Sequence, residues 1–150
     1  MPYRHTQVGY WMFVVSVVLA LVIAARAQSL TMFGVMCFIT TLASALFGTL
    51  TTVVDSGSVV VQFGPLGLIH DRFEVADITS ARVVRNSPLY GIGMRYIPHG
   101  RLWNVWGLDA VELQLRNGTR FRIGTDEPQA LLAALRQSGV PAELIAARAP

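Results

Sequence analysis

Aromatic and arginine side chains are concentrated in residues 90–106, where their types favour binding over catalysis. Tyr90, Arg95, Tyr96, Arg101 and Trp106 all lie in this stretch. Trp, Tyr and Arg are the residues most enriched at binding hot spots, because each buries a large area and keeps a polar group. The same residue types suit the headgroup region of a membrane. We therefore interpret these five residues as candidates for a binding surface.

Strand alternation predicts which rings of this stretch are exposed. Trp103 alternates with Val105, so its ring is expected in the core. Trp106 lies off that face and is the better candidate for exposure. We expect Arg101 and Tyr96 to be its neighbours across a hairpin.

Patterns for catalysis or metal binding are weak. His70 and Asp71 are adjacent in a predicted strand, so their side chains point to opposite faces. His99 lies in a predicted turn, and the three His lack metal-ligand spacing. The single cysteine, Cys37, excludes an intrachain disulfide. The sequence predicts no cofactor, no metal and no enzyme. The alternative is a small membrane-bound hydrolase or lipid-handling enzyme whose site forms only in the fold.

Two uncharged apolar runs, residues 8–25 and 29–54, predict a membrane hairpin. Each is close to the ~20 apolar residues that cross a bilayer as helix. We expect spans at about 8–25 and 30–52, within an N-terminal domain of residues 1–54. Ala25-Arg26-Ala27 could be a signal-peptide cleavage site. The apolar run is long for a signal peptide, however, and an Arg sits inside the site, so we expect no cleavage.

Small residues recur every four positions in both runs, which favours close packing of helices in lipid. These residues are Ser16, Ala20 and Ala24 in the first span and Thr40, Ser44, Gly48 and Thr52 in the second. Two interpretations stay open. The stripes face each other within one hairpin, or the helix faces that this contact leaves uncovered pack against other copies of the chain in a homo-oligomer.

The distribution of charge bears on orientation and partners. All 12 basic residues are Arg, against 9 acids, with no concentrated basic patch. A nucleic-acid partner is therefore not expected. Arg4 beside the N-terminus, against Arg26 in the turn, favours both termini in the cytoplasm and location in the inner membrane. The expected partners are the bilayer and either another protein or a second copy of the chain.

Residues 55–150 carry the pattern of a mainly-β domain with one helix at about 126–138. In the hairpin from Asp109 to Gly124, a two-residue turn at Asn117-Gly118 would put Leu113 on the face of Arg122. A three-residue loop with Gly118 left-handed keeps the apolar residues together, so we predict that register. It pairs Val111 with Ile123, Leu113 with Phe121, Glu112 with Arg122 and Gln114 with Arg120.

The run VELQLRNGTRFRIGTDEPQALLAAL, residues 111–135, resembles the end of bacterial pleckstrin-homology-like (PH-like) domains. The resemblance covers about residues 56–138. It implies a small bent β-barrel, or two packed antiparallel sheets, capped by the C-terminal helix, and a membrane hairpin is a common companion. Eukaryotic relatives often hold phosphoinositides through basic residues in the first strand-strand loop. That loop here, Gly64-Pro65-Leu66-Gly67, has none. The expected function is a membrane-anchored binding or scaffolding module of undefined ligand.

Overall fold

The computed structural model describes residues 2–26, 29–98 and 100–143. Ala27, Gln28 and His99, which the sequence places in turns, lie outside the described residues. The helices are α1 (Tyr10–Arg26), α2 (Leu30–Phe47) and α3 (Pro128–Gln137). The strands are β1 (Tyr3–Val8), β2 (Thr49–Val54), β3 (Ser58–Phe63), β4 (Ile69–Glu74), β5 (Ile78–Arg85), β6 (Gly93–Ile97), β7 (Gly100–Asn104), β8 (Asp109–Leu115), β9 (Arg120–Gly124) and β10 (Ala142–Glu143).

The strands form two sheets and not a closed barrel, so the barrel expected from the sequence is wrong. The first sheet has the order β1-β2-β3-β4 and is antiparallel. The second has the order β10-β5-β8-β9-β7-β6. It is mixed, because β7 pairs with β9, and β10 with β5, in parallel. The alternative expectation, two packed sheets with a C-terminal helix, is confirmed, except that the second sheet is mixed and not antiparallel throughout.

Aromatic side chains join the two sheets in the core. Phe73 of β4 packs on Phe121 of β9, with ring centroids 4.7 Å apart. Phe63 of β3 packs on Trp103 of β7 at 5.2 Å. Trp103 is buried, as its alternation with Val105 predicted. Among the described residues, the two sheets meet through side chains and not through a backbone ladder, so the barrel is not closed.

Helix α3 closes one side of the space between the sheets. It packs against β2 of the first sheet and against β5 and β8 of the second. Its buried residues are Leu131, Leu132 and Leu135, spaced along one helical face. The helix was predicted over about 126–138 and begins two residues later, at Pro128, whose missing N–H costs nothing in the first turn.

The second predicted span is too long. Helix α2 ends at Phe47, and residues 49–54, of which 49–52 were assigned to the span, form strand β2. Thr51 and Thr52 are buried in the sheet, where β-branched residues pack well. The polar head before the first span is also a strand: β1 pairs with β2 over its whole length. The β domain therefore includes residues on both sides of the two helices.

Helix α2 is the one helix among the described residues that is long and apolar enough to cross a membrane. Helix α1 is apolar but has 17 residues. Both helices expose apolar side chains along their length, among them Val14, Leu21 and Phe38.

The predicted register of the hairpin formed by β8 and β9 is confirmed. Val111 lies opposite Ile123, Leu113 opposite Phe121, Glu112 opposite Arg122 and Gln114 opposite Arg120. Gly118 has φ +84° and donates its N–H to the Leu115 carbonyl at 2.9 Å. A shift of one residue in the pairing of β8 with β9 would turn the apolar residues to solvent. The turn at Gly118 fixes the register that avoids this.

Candidate functional site

The β domain has two ends, defined by where the helices leave it. At the hairpin end, β1 leads into α1 and α2 leads into β2, and Gly9 donates to the Gly48 carbonyl at 2.8 Å. The loops at 64–68 and 105–108 lie at this end. The far end carries the turn at Asn117-Gly118 and the turn between β6 and β7.

Two hydrogen bonds tie the second sheet to the start of the helices. Trp11 donates its indole N–H to the Val105 carbonyl at 2.8 Å. Gln7, itself buried, donates its amide to the Trp106 carbonyl at 2.9 Å. Gln7 lies just before α1 and Trp11 lies in its first turn. These side-chain hydrogen bonds, together with the chain connections from β1 to α1 and from α2 to β2, set the orientation of the β domain relative to the helices.

The candidate residues of the binding surface separate into two groups. Tyr96 and Arg101 are directly opposite each other in β6 and β7, at the far end. Trp106 follows the other end of β7 and lies at the hairpin end, 53% exposed. The expectation that these three are neighbours is therefore wrong. Strand β7 continues to Asn104 before the chain turns, and this length separates Trp106 from Arg101.

At the far end, Arg101 has partners within the fold while Tyr96 has a free ring. Arg101 forms an ion pair with Asp71 of β4, with 2.9 Å between its Nη1 and the Asp71 Oδ2, and its guanidinium lies over the Phe121 ring at 5.3 Å. The ion pair between Arg101 and Asp71 joins β7 of the second sheet to β4 of the first, on the side of the core away from α3. Tyr96 is 90% exposed on edge strand β6. Of the two, Tyr96 is the residue available for contact with another molecule.

Tyr90 lies in the connection from β5 to β6, which crosses the outer face of the second sheet, and Arg95 lies in β6 itself. The Tyr90 ring lies over the Arg122 guanidinium at 6.0 Å. Arg95 is exposed and donates to the Ile92 carbonyl at 3.2 Å. Tyr90 thus packs on the domain's own arginine, and Arg95 extends from the hairpin end.

A charge cluster lies under this connection, centred on Glu112. The Glu112 side chain is 2% exposed and accepts from Arg82 at 2.6 Å and from Arg122 at 2.7 Å. Arg120 lies 3.9 Å away, and Arg122 also donates to Asn86. Burial raises the pKa of Glu112, but the hydrogen bonds from Arg122 and Arg82 outweigh it, so the pKa is lowered from 4.5.

The sequence revealed only part of this cluster. The predicted register of β8 and β9 places Arg122 opposite Glu112, and Arg120 two pairs further along on the same face. Arg82 comes from β5, thirty residues earlier, and lies opposite Glu112 on the other side. No local pattern links those two strands, so only the tertiary pairing brings Arg82 to the carboxylate.

A second polar cluster joins β1 to the start of α3. His5 lies 2.6 Å from Asp126 and 3.4 Å from Glu127, and its ring stacks on Tyr3. Burial, then the charges of Glu127 and Asp126, raise the pKa of Tyr3 to about 12. Tyr3 is therefore neutral at physiological pH. The cluster holds the strand that leads into α1 against the helix that closes the core.

Within the two helices, Ser16 and Ser44 are in contact, with their hydroxyl oxygens 2.7 Å apart. Gly48 faces the Phe13 ring: a Cβ there would lie 3.3 Å from its Cζ. Thr40 donates to the carbonyls of Met36 and Cys37. The two stripes thus meet at Ser16 and Ser44. Association of copies through Ala20, Ala24 or other faces stays a prediction.

His70, which was considered for catalysis, contacts a backbone carbonyl close to it in the chain. His70 lies 2.9 Å from the Gly67 carbonyl through Nδ1. Asp71, its neighbour in sequence, pairs with Arg101. Within the described part of the chain, no group of three or more His, Cys, Asp or Glu could hold a metal ion. A hydrolytic site at His70 therefore gains no support from these contacts.

No model of a known protein family matches the chain, and no characterised protein sequence matches it. The likeness to PH-like domains therefore stays a proposal that depends on the residues themselves.

Proposed function

We propose that this chain is a membrane-anchored binding or scaffolding module. Its helices α1 and α2 insert together as a hairpin, both termini lie in the cytoplasm, and the PH-like β domain is held at the bilayer surface. There it acts on a partner protein, on a second copy of the chain or on the bilayer itself.

One observation carries this proposal: apolar side chains are exposed around the point where the helices leave the β domain. Leu66 and Leu68 are 75% and 69% exposed in the loop after β3, and Trp106 is half exposed. A Cβ on Gly64 would lie 2.8 Å from the Leu46 carbonyl, so this loop is next to the end of α2. Large apolar side chains and a Trp at that level match the interfacial region of a bilayer.

The length of the helices agrees with insertion of both. At 1.5 Å per residue, α1 and α2 measure about 26 and 27 Å, close to the ~30 Å of a bilayer core. No Asp, Glu or Lys occurs in either helix, and Arg26 is the last residue of α1. Two antiparallel spans return the chain to the same side, as the pairing of β1 with β2 requires.

We expect reporter fusions at residue 1 and at residue 150 to give cytoplasmic signals, because the hairpin returns the chain and Arg4 favours the cytoplasm. Alkaline carbonate should leave the full-length protein in the membrane pellet. Signals from opposite compartments would contradict the hairpin. Periplasmic signals from both ends would contradict only the orientation.

Photocrosslinking distinguishes the two ends of the β domain. A benzoylphenylalanine at position 106 should form adducts with lipid, because Trp106 lies beside the helices. The same group at position 96, on the exposed edge strand at the far end, should form adducts with protein. Absence of lipid adducts at 106 would contradict contact between this end of the β domain and the bilayer. Absence of protein adducts at 96 would contradict the far end as a binding site for a partner protein.

A further inference from the structure

A crevice of about 320 Å³ lies between the hairpin and the second sheet. Its apolar wall comes from the first turn of α1, the last residue of α2 and the start of β6. The side chains that form it are Trp11, Met12, Phe47, Ile92 and Met94, with Arg95 at its polar margin. The crevice belongs to neither the helices nor the β domain alone, because α1, α2, the start of β6 and Asn104 of β7 all line it.

The wall of this crevice is firmly positioned. The indole N–H of Trp11 is already bound to the Val105 carbonyl, so the ring presents an apolar surface with its polar group satisfied. Asn104, behind it, donates to the Gly107 carbonyl at 2.8 Å and accepts from the Trp106 N–H. A ligand in the crevice would therefore meet preformed apolar surface, and would not have to order the wall.

The polar margin carries a positive charge that the fold does not neutralise. Arg95 uses one N–H on the Ile92 carbonyl. No carboxylate of the described residues lies within 4.0 Å of its guanidinium. Arg101 and Arg122, by contrast, are paired with Asp71 and Glu112. Guanidinium binds phosphate oxygens in bidentate fashion, and Arg95 is free to do so.

We propose that this crevice is a binding site for an anionic phospholipid of the surrounding bilayer. The lipid phosphate meets the Arg95 guanidinium, and an acyl chain lies against Met12, Phe47 and Met94. The crevice is continuous with the surface of the helices that we propose to face lipid. This position favours a membrane lipid over a soluble molecule as the ligand. Basic pockets beside membrane helices on the cytoplasmic side are known to bind anionic lipid headgroups. This inference rests on the insertion of the hairpin proposed above.

The test uses the full-length protein purified in detergent micelles containing equal amounts of phosphatidylglycerol and phosphatidylcholine. Native mass spectrometry then measures the ratio of the two lipids that stay bound. The wild type should retain phosphatidylglycerol in preference. Arg95→Gln should reduce this preference about fivefold, as expected for one arginine at a membrane surface. Arg95→Lys keeps the charge but loses the bidentate geometry, so its preference should fall between those of the wild type and Arg95→Gln.

Arg116→Gln is the matched control. Arg116 is also exposed and also donates to a single carbonyl, that of Ala76, but lies at the far end. It should leave the preference unchanged. An equal fall in Arg116→Gln would show general attraction by net charge and would overturn the proposal. Equal retention of both lipids by the wild type would overturn it too.

Two further measurements complete the test. Millimolar glycerol 1-phosphate should not displace phosphatidylglycerol, because it lacks the acyl chain; displacement would show a site for a free phosphate and would overturn the lipid assignment. Thermal melting of Arg95→Gln should match the wild type, which confirms an intact fold. Extraction of the wild type by carbonate would instead contradict membrane insertion, a separate failure from loss of lipid preference.

Discussion

Replacing Glu112 by glutamine is expected to lower the free energy of unfolding by about 3 kcal/mol. Glutamine keeps the shape of the side chain but removes the charge that Arg82 and Arg122 share, and breaking a buried ion pair costs about 3–5 kcal/mol. We expect the lower end of that range, because the side chains of Arg82 and Arg120 are each 33% exposed. Urea unfolding of the full-length protein in micelles, followed by Trp fluorescence, measures the change.

The ion pair between Arg72 and Glu74 provides the matched control. Both side chains are more than half exposed, at 63% and 58%, with 3.4 Å between them. Glu74→Gln should therefore cost less than about 1 kcal/mol. A loss below that value in Glu112→Gln as well would show that the buried cluster contributes little to stability.

The pH dependence of stability tests the same carboxylate. The folded-state pKa of Glu112 is lowered from 4.5, so its contribution is complete above that value and is lost as the pH falls through the folded pKa. The wild type should lose stability in acid below pH 4.5 more steeply than Glu112→Gln. Parallel curves for the two proteins would contradict the lowered pKa.

Replacing Gly100 by alanine is expected to cost about 3 kcal/mol or more. A Cβ at this position would overlap the Arg120 carbonyl oxygen and lie 2.6 Å from its carbonyl carbon. Backbone atoms of a paired strand cannot rotate away, so the parallel pairing of β7 with β9 would have to open. Gly100 also has φ +154°, which adds strain for any other residue.

Gly107→Ala isolates the contribution of φ. Gly107 has φ +77°, and a Cβ there would meet nothing within 4 Å. Its replacement should therefore cost about 1 kcal/mol, from backbone strain alone. The same urea titration applies to both variants. Equal costs in the two would mean that β7 does not approach β9 as closely as described.

Local patterns predicted the apolar helices and the hairpin of β8 and β9. The register of β8 and β9 followed from apolar alternation and from Gly118, because a hairpin brings neighbouring residues together and a slip would expose its apolar face. Two apolar helices followed from uncharged runs of sufficient length.

The sequence by itself therefore determined the elements whose causes are local: the apolar helices, the hairpin of β8 and β9 and the apolar face of α3. Only the tertiary structure decided that β1 and β2 pair across the helices, that β7 lies parallel to β9 and that Arg82 reaches Glu112. Each of these joins residues far apart in the chain, and alternation in one strand carries no information on its partner. The separation of Trp106 from Arg101 has a local origin instead, because β7 continues to Asn104 between them.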